Sequence, residues 1–213
     1  MIEAEDILAF WFPPRLDESE RRHAEMFQFW FGGGANGEIA RRFAVAHDAA
    51  TQGALDGWAD MPRSRLALII VLDQFSRGLH GGTALAYAQD AKAIALTEDG
   101  LERRFYDKLT TVWEKTFFML PLGHSERVAD LDRCIALADA LVPEAPVQVR
   151  ALYEFSASQA RGHREVVARF GRQPHRNATL GRTSTAEELA YLATGNFVHR
   201  RTFDRWRDDQ GQP

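Results

Sequence analysis

Residues 66–72, Leu-Ala-Leu-Ile-Ile-Val-Leu, form an unbroken apolar run. The run is far shorter than the ~20 residues a membrane span requires. Read as helix, it is apolar all round, and a helix without a polar face belongs at the centre of a bundle. The rest of the chain must then supply elements to cover it. Those elements also read as helices, because alternating strand patterns are nearly absent and helical punctuation recurs throughout.

The expected helices follow from that punctuation. Residues 4–12 form a first helix stopped by Pro13-Pro14, which cannot continue it. Asp17 with Glu20 resembles a capping box opening a second helix through Phe27, Trp30 and Phe31, ended by Gly32-Gly33-Gly34. A third covers 38–52, with Ile39, Phe43, Ala46 and Ala50 on one face. Ser64 is expected to cap the helix carrying the apolar run, and another spans 83–96 before Asp99-Gly100 breaks the chain. Residues 101–120 read as one or two helices ending at Pro121, and 125–141 as an amphipathic helix with Leu131, Ile135, Ala138 and Leu141 in a stripe. A long helix over 146–170 ends at Gly171, and Thr185 with Glu188 looks like a further capping box. The polar tail, 205–213, is expected to fray.

Roughly nine helices with no strong linker predict one all-α domain over 1–213, built of antiparallel helix pairs in a solenoid or bundle. No repeated 34-residue signature is visible, so periodicity alone does not indicate a tetratricopeptide array. The 213 residues are 45% hydrophobic and 26% charged, the balance of a folded globular protein. A net charge of −4 and a pI near 6.0 weigh against a surface adapted as a whole to nucleic acid. Cys134 is the only cysteine, which excludes an internal disulfide and a multi-cysteine metal site, and beside the Leu131/Ile135 stripe it reads as core. The acidic start, MIEAED, lacks the basic region of a secretory signal, so a cytoplasmic location without membrane attachment is the default expectation. Accordingly, the Asn177-Ala178-Thr179 glycosylation pattern reads as a chance match. No GxGxxG, P-loop, GxSxG or HExxH motif occurs, and no cofactor or metal is expected.

Three islands exceed what packing alone requires. Asp73 closes the apolar run at the unfavourable end of a helix dipole, so it needs a partner, and Arg77 stands one turn on. A structural ion pair joining helices is the bland reading; an acid or base facing a cleft is the sharp one. In Gly123-His124-Ser125-Glu126, Ser125 suits an N-cap and Glu126 the positive end of a helix, leaving His124 as a proton carrier or a satisfied polar contact. The third island, 170–188, is the richest. Gly171 suits a left-handed C-cap, and Gln173 before Pro174 is pushed to extended geometry, so the loop presents His175, Arg176 and Asn177. His163 shares a helix face with Val166, Val167 and Phe170 and reads as a hydrogen-bonded core histidine. Six arginines (161, 164, 169, 172, 176, 182) stand against Glu165 alone between 161 and 182, an excess of five positive charges. Arginine's planar fork suits carboxylate or phosphate recognition, although such residues also pair with acids across helices.

At these islands the chain resembles the bacterial domain of unknown function 924 family. The resemblance rests on Ile7-Leu8-Ala9-Phe10-Trp11-Phe12, Leu72-Asp73-Gln74-Phe75, His124-Ser125-Glu126 and Phe170-Gly171-Arg172. Its most specific stretches are Pro174-His175-Arg176-Asn177, Leu180-Gly181-Arg182 and Ser184-Thr185-Ala186-Glu187-Glu188. It implies an all-helical, tetratricopeptide-like superhelix and no particular activity. Gly78 stands where the family pattern usually has Asn, and Gln173 where it has an aromatic residue.

The leading expectation is a binding scaffold for an acidic peptide or anionic small molecule, with Arg77, Arg172, His175, Arg176, Asn177 and Arg182 as contacts. The alternative is a metal-independent hydrolytic enzyme using Asp73, His124 and His163 or His175 as acid/base groups, which requires them to converge. RNA binding through the basic segment is weaker still, given the net acidity and the lack of flanking Lys. Nothing in the sequence sets the oligomeric state.

Overall fold

The computed structural model describes residues 2–16 and 19–211, and among them there are helices and no strands. The chain divides into two compact units, residues 1–122 and 123–213.

In the first unit, α1 (Ala4–Trp11) opens at Glu3, whose backbone N–H donates to Asp6 at 2.8 Å. Next, α2 (Glu20–Phe31) is capped by Ser19, whose hydroxyl accepts from the Arg22 N–H at 3.1 Å; Asp17 of the expected capping box lies outside the described residues. The single helix expected over 38–52 is instead two, α3 (Asn36–Arg42) and α4 (Ala44–Thr51), broken at Phe43 (φ −123°, ψ 2°). Phe43 is buried there against Phe10 and Phe75, with ring centroids 4.9 and 5.5 Å away.

The apolar run lies in α5, residues 62–80, which consists of Pro62–Ile70, a π-helical stretch Val71–Phe75 and a final α turn Ser76–His80. Every residue from Leu66 to Leu72 is 0% exposed, and α1, α3, α4 and α6 all pack on this rod, as the missing polar face requires. Ser64 is not its cap: Met61 is, with Pro62 in the first turn, while the Ser64 hydroxyl donates to the Trp58 carbonyl at 2.7 Å. The next helix, α6 (Asp90–Glu102), starts later than expected and runs through Asp99-Gly100. Gly100 serves contact there, since a Cβ on it would stand 2.4 Å from Phe118 Cζ and 3.0 Å from Arg65 Cδ. Pro121 likewise falls inside α7 (Val112–Gly123) instead of ending it.

The second unit is led by α8 (Val128–Glu144) and α9 (Arg150–Phe170), which pack along each other. Asp139 pairs with Arg161 and Asp132 with Arg164, so the numbering rises on one helix as it falls on the other. The pair is antiparallel. Leu131, Cys134, Ala138 and Leu141 form its buried stripe, and burial pushes the Cys134 thiol up to about 12, as suits a core residue. Thr185 and Glu188 form both bonds of the expected capping box at the start of α10 (Ala186–Ala193). Where fraying was expected from Arg205 onward, α11 (Phe203–Asp209) sets a buried Trp206 against Phe155, with ring centroids 5.8 Å apart. No helix among the described residues is long and apolar enough to cross a membrane.

Candidate functional site

The loop after α9 is built as its residues dictate. Gly171 takes the left-handed conformation (φ 69°) and closes the helix with an N–H bond to the Val167 carbonyl at 2.7 Å. Gln173 is extended, and Pro174–Arg176 makes a 3-10 turn that brings His175 and Arg176 back against α9. Gln173 is almost fully buried and links four groups. Its N–H donates to Glu126 at 2.9 Å, its carbonyl accepts from Arg182 at 3.2 Å and from the Arg176 N–H at 3.1 Å, and its side-chain amide lies 3.4 Å from His163 Nδ1.

Most of the arginine excess is balanced inside the fold. Arg161, Arg164 and Arg169 meet Asp139, Asp132 and Glu187 on the surface. Arg172 grips Glu188 with two bonds of 2.6 and 2.7 Å and also reaches the Thr183 carbonyl at 2.9 Å. Arg182 holds Glu126 with two bonds of 2.7 and 3.0 Å. Both carboxyls respond: the Arg172 guanidinium and the Thr185 N–H hold Glu188 down at about 2, and Glu126 is lowered by Arg182 and the Gln173 N–H even though burial opposes it. Glu126 therefore serves this contact rather than the start of α8, whose N-cap is Arg127. Ser125 is not that cap either; it accepts from the Arg127 N–H at 3.0 Å and donates to Asp130 at 2.5 Å. Asn177 is buried and donates to Ser184 at 3.0 Å, which ties the loop to the α10 entrance.

Beside these pairs three histidine rings gather around Arg176. The His175 and His199 rings lie 4.4 Å apart, with Phe197 stacked on His199 at 5.5 Å. His175 is pushed down to about 3, first by burial and then by His199, Arg176, His163 and Arg182. His163, half-buried, is also pushed to about 3 by burial, with His124, His199 and Arg176 adding to the effect. Burial, Arg200 and Arg176 lower His199, which reaches solvent. Burial and a nearby guanidinium both favour the neutral form of these rings.

Of the sequence candidates, His124, His163, His175, Arg176 and Arg182 thus act on one another in the second unit, and Arg172 and Asn177 brace the loop beside them. Asp73 and Arg77 belong to the first unit. Asp73 lies in the π-helical stretch, 1% exposed, bonded by Arg77 at 3.0 Å and by Gln74 at 2.5 Å. Arg77 continues to Asp90 at 3.0 Å, joining α5 to α6 as the structural reading expects. Gly78 sits where a Cβ would come within 3.0 Å of both Asn36 Oδ1 and Ile39 Cδ1.

Two features lay outside the sequence reading. His199 was not singled out, although it follows a helix end in a stretch, 197–201, that holds one histidine and two arginines. A cleft of about 590 Å³ in the first unit was also missed; it is walled by Leu8, Phe12, Pro13 and Trp113, with Arg63 between Glu5 and Glu114 at its edge. A polar cleft of about 580 Å³ in the second unit is lined by Phe197, Val198 and Arg201 together with Glu154 and Asp209. Among the described residues no three His, Cys, Asp or Glu side chains are grouped to hold a metal ion.

A family model described as "Bacterial protein of unknown function (DUF924)" matches residues 7–196. A solved structure of a protein of unknown function from Agrobacterium tumefaciens is similar to the chain at 34% identity and a TM-score of 0.70, over 89% of this chain and 96% of that one. No curated protein matches.

Proposed function

Since the chain belongs to the bacterial DUF924 family, which has no known function to lend it, we propose from its own residues that it is a helical scaffold binding a small anion. One observation carries the reading. His163, His175, His199 and Arg176 are gathered with His124 beside them, while the nearby carboxylates Glu126 and Glu188 are already held by Arg182 and Arg172. An oxyanion placed against the exposed edge at His199 would lie near the Arg200 and Arg176 guanidiniums. Arg176 and His175 keep the contact role expected of them. The contribution of Arg172, Arg182 and Asn177 is to fix the loop, through the bonds of Arg172 to Glu188, of Arg182 to Glu126 and of Asn177 to Ser184. Arg77 lies in the first unit and takes no part in this reading.

A thermal-shift titration tests it, using sulfate, phosphate and citrate against chloride at matched ionic strength. The oxyanions are expected to raise the melting temperature of the wild type more than chloride does, and His175→Asn/His199→Gln is expected to lose that difference. Equal gains in both proteins would sink the reading.

A further inference from the structure

We infer that the polar cleft between α9 and α11 is a second binding site, and that it takes a short peptide whose ammonium and carboxylate ends are both free. It shares no histidine with the cluster above, so it stands or falls apart from the anion reading.

Two helices and the segment before α11 build the cleft. On α9, Glu154, Ser158 and Arg161 follow at i, i+4 and i+7, which sets them in one row along the helix. On α11, Arg205 and Asp209 stand one turn apart with Trp206 beside them. The segment between the two walls is seated on α9. The Gln159 side-chain amide donates to the Val198 carbonyl at 2.9 Å, and a Cβ on Gly162 would stand 2.9 Å from Val198 Cγ1 and 3.5 Å from Arg201 Nη2. Close approach at Gly162 thus sets Arg201 into the lining.

Charge distinguishes this cleft from the rest of the unit. Arg161 already bonds Asp139 at 2.6 Å, and Arg164, Arg169, Arg172 and Arg182 each have an acidic partner. Arg201, Arg205, Glu154 and Asp209 make no ion pair or side-chain hydrogen bond among the described residues. Two guanidiniums and two carboxylates therefore line one cleft without meeting each other. An anion would be drawn by the first two and repelled by the others, and a cation the reverse. A molecule with one charge of each sign satisfies both sets. The Asn196 and Gln210 amides are likewise unbonded among the described residues, and each offers the donor and the acceptor that a peptide group needs. Phe197 and Trp206 add apolar surface, and about 580 Å³ is ample for a ligand of a few residues.

Titration of the nitrogen-15-labelled protein with triglycine tests this, at about pH 6.5, where a peptide amine is protonated. The site is read from the Trp206 indole N–H resonance, identified by its loss in Trp206→Phe. Triglycine is expected to shift that resonance to saturation. N-acetyl-triglycine and triglycine amide, which keep one charge each, are expected to bind about tenfold more weakly. Arg201→Gln/Arg205→Gln should reduce triglycine to the affinity of its amide, and Glu154→Gln/Asp209→Asn to that of the N-acetyl form. If either double variant does not fold, the exposed single changes Arg205→Gln and Asp209→Asn make the same comparison, with a smaller loss expected from each. No shift with triglycine would overturn the inference. So would an N-acetyl peptide that binds as tightly as triglycine, which would make this an anion site, or an equally tight amide, which would make it a cation site. Triglycine affinity unchanged in the folded variants would overturn the assignment to these four side chains.

Discussion

Gly100 and Gly171 show how one residue type meets opposite demands. Gly171 stands at the left-handed C-cap of α9 with open space where a Cβ would go, so its substitution tests backbone conformation alone. Gly100 lies inside α6, and a Cβ there would be driven into Phe118, which is 0% exposed and has no room to withdraw. Gly171→Ala should therefore cost about 1 kcal/mol. Gly100→Ala gains helix propensity and still should cost about 1–3 kcal/mol, because overpacking outweighs it. Urea denaturation of both variants measures the difference. A Gly100→Ala protein as stable as wild type would show that the contact with Phe118 relaxes without penalty. Gln173 makes the complementary point, since it is a buried polar residue whose backbone N–H and carbonyl are both matched, by Glu126 and by Arg182.

Among the elements, the legible features were those fixed by local chemistry. The Thr185/Glu188 capping box, the Gly171 stop, the all-round burial of 66–72 and the Asp73–Arg77 pair each depend on residues a turn or less apart. What the sequence could not disclose depends on partners far along the chain. Asp99-Gly100 and Pro121 look like stops, yet α6 and α7 run through them, because Gly100 receives a neighbouring ring and Pro121 falls in a last turn. The arginine excess over 161–182 misled in the same way, since its carboxylates are Glu126, Asp132 and Asp139 before it and Glu187 and Glu188 after it. Glu188 carries two of these roles, capping α10 and holding Arg172. Thr185→Ala removes one cap bond and should cost about 1 kcal/mol. Glu188→Gln should be worse, because it weakens the cap and leaves Arg172 without its bidentate partner. Ranking the two variants by thermal unfolding checks this, and a Thr185→Ala loss equal to or above that of Glu188→Gln would contradict it.

Across the whole molecule, the pKa shifts point to acid as the weak direction. His163 and His175, at about 3 in the fold, lie below their ordinary value near 6.5. Between those two pH values the unfolded chain carries protons on both rings and the folded chain does not, so stability rises with pH across that window and falls on acidification through it. Glu188, at about 2, and Glu126, lowered by Arg182, act in the same sense further down. Their stabilising effect is complete above the ordinary carboxylate range and is lost as pH falls through the folded value. The histidines titrate first, so their signature is separable. The urea midpoint of the wild type should decline from about pH 7 to about pH 5, before carboxylates protonate appreciably. Trp206 lies in the same unit as the cluster, whereas the other four tryptophans, at 11, 30, 58 and 113, lie in the first. A His163→Gln/His175→Asn protein should show a flatter dependence over this interval, whatever its absolute stability. A slope as steep as that of the wild type would mean that the two rings are not held neutral by the fold, and the charge argument for the cluster would fail with it.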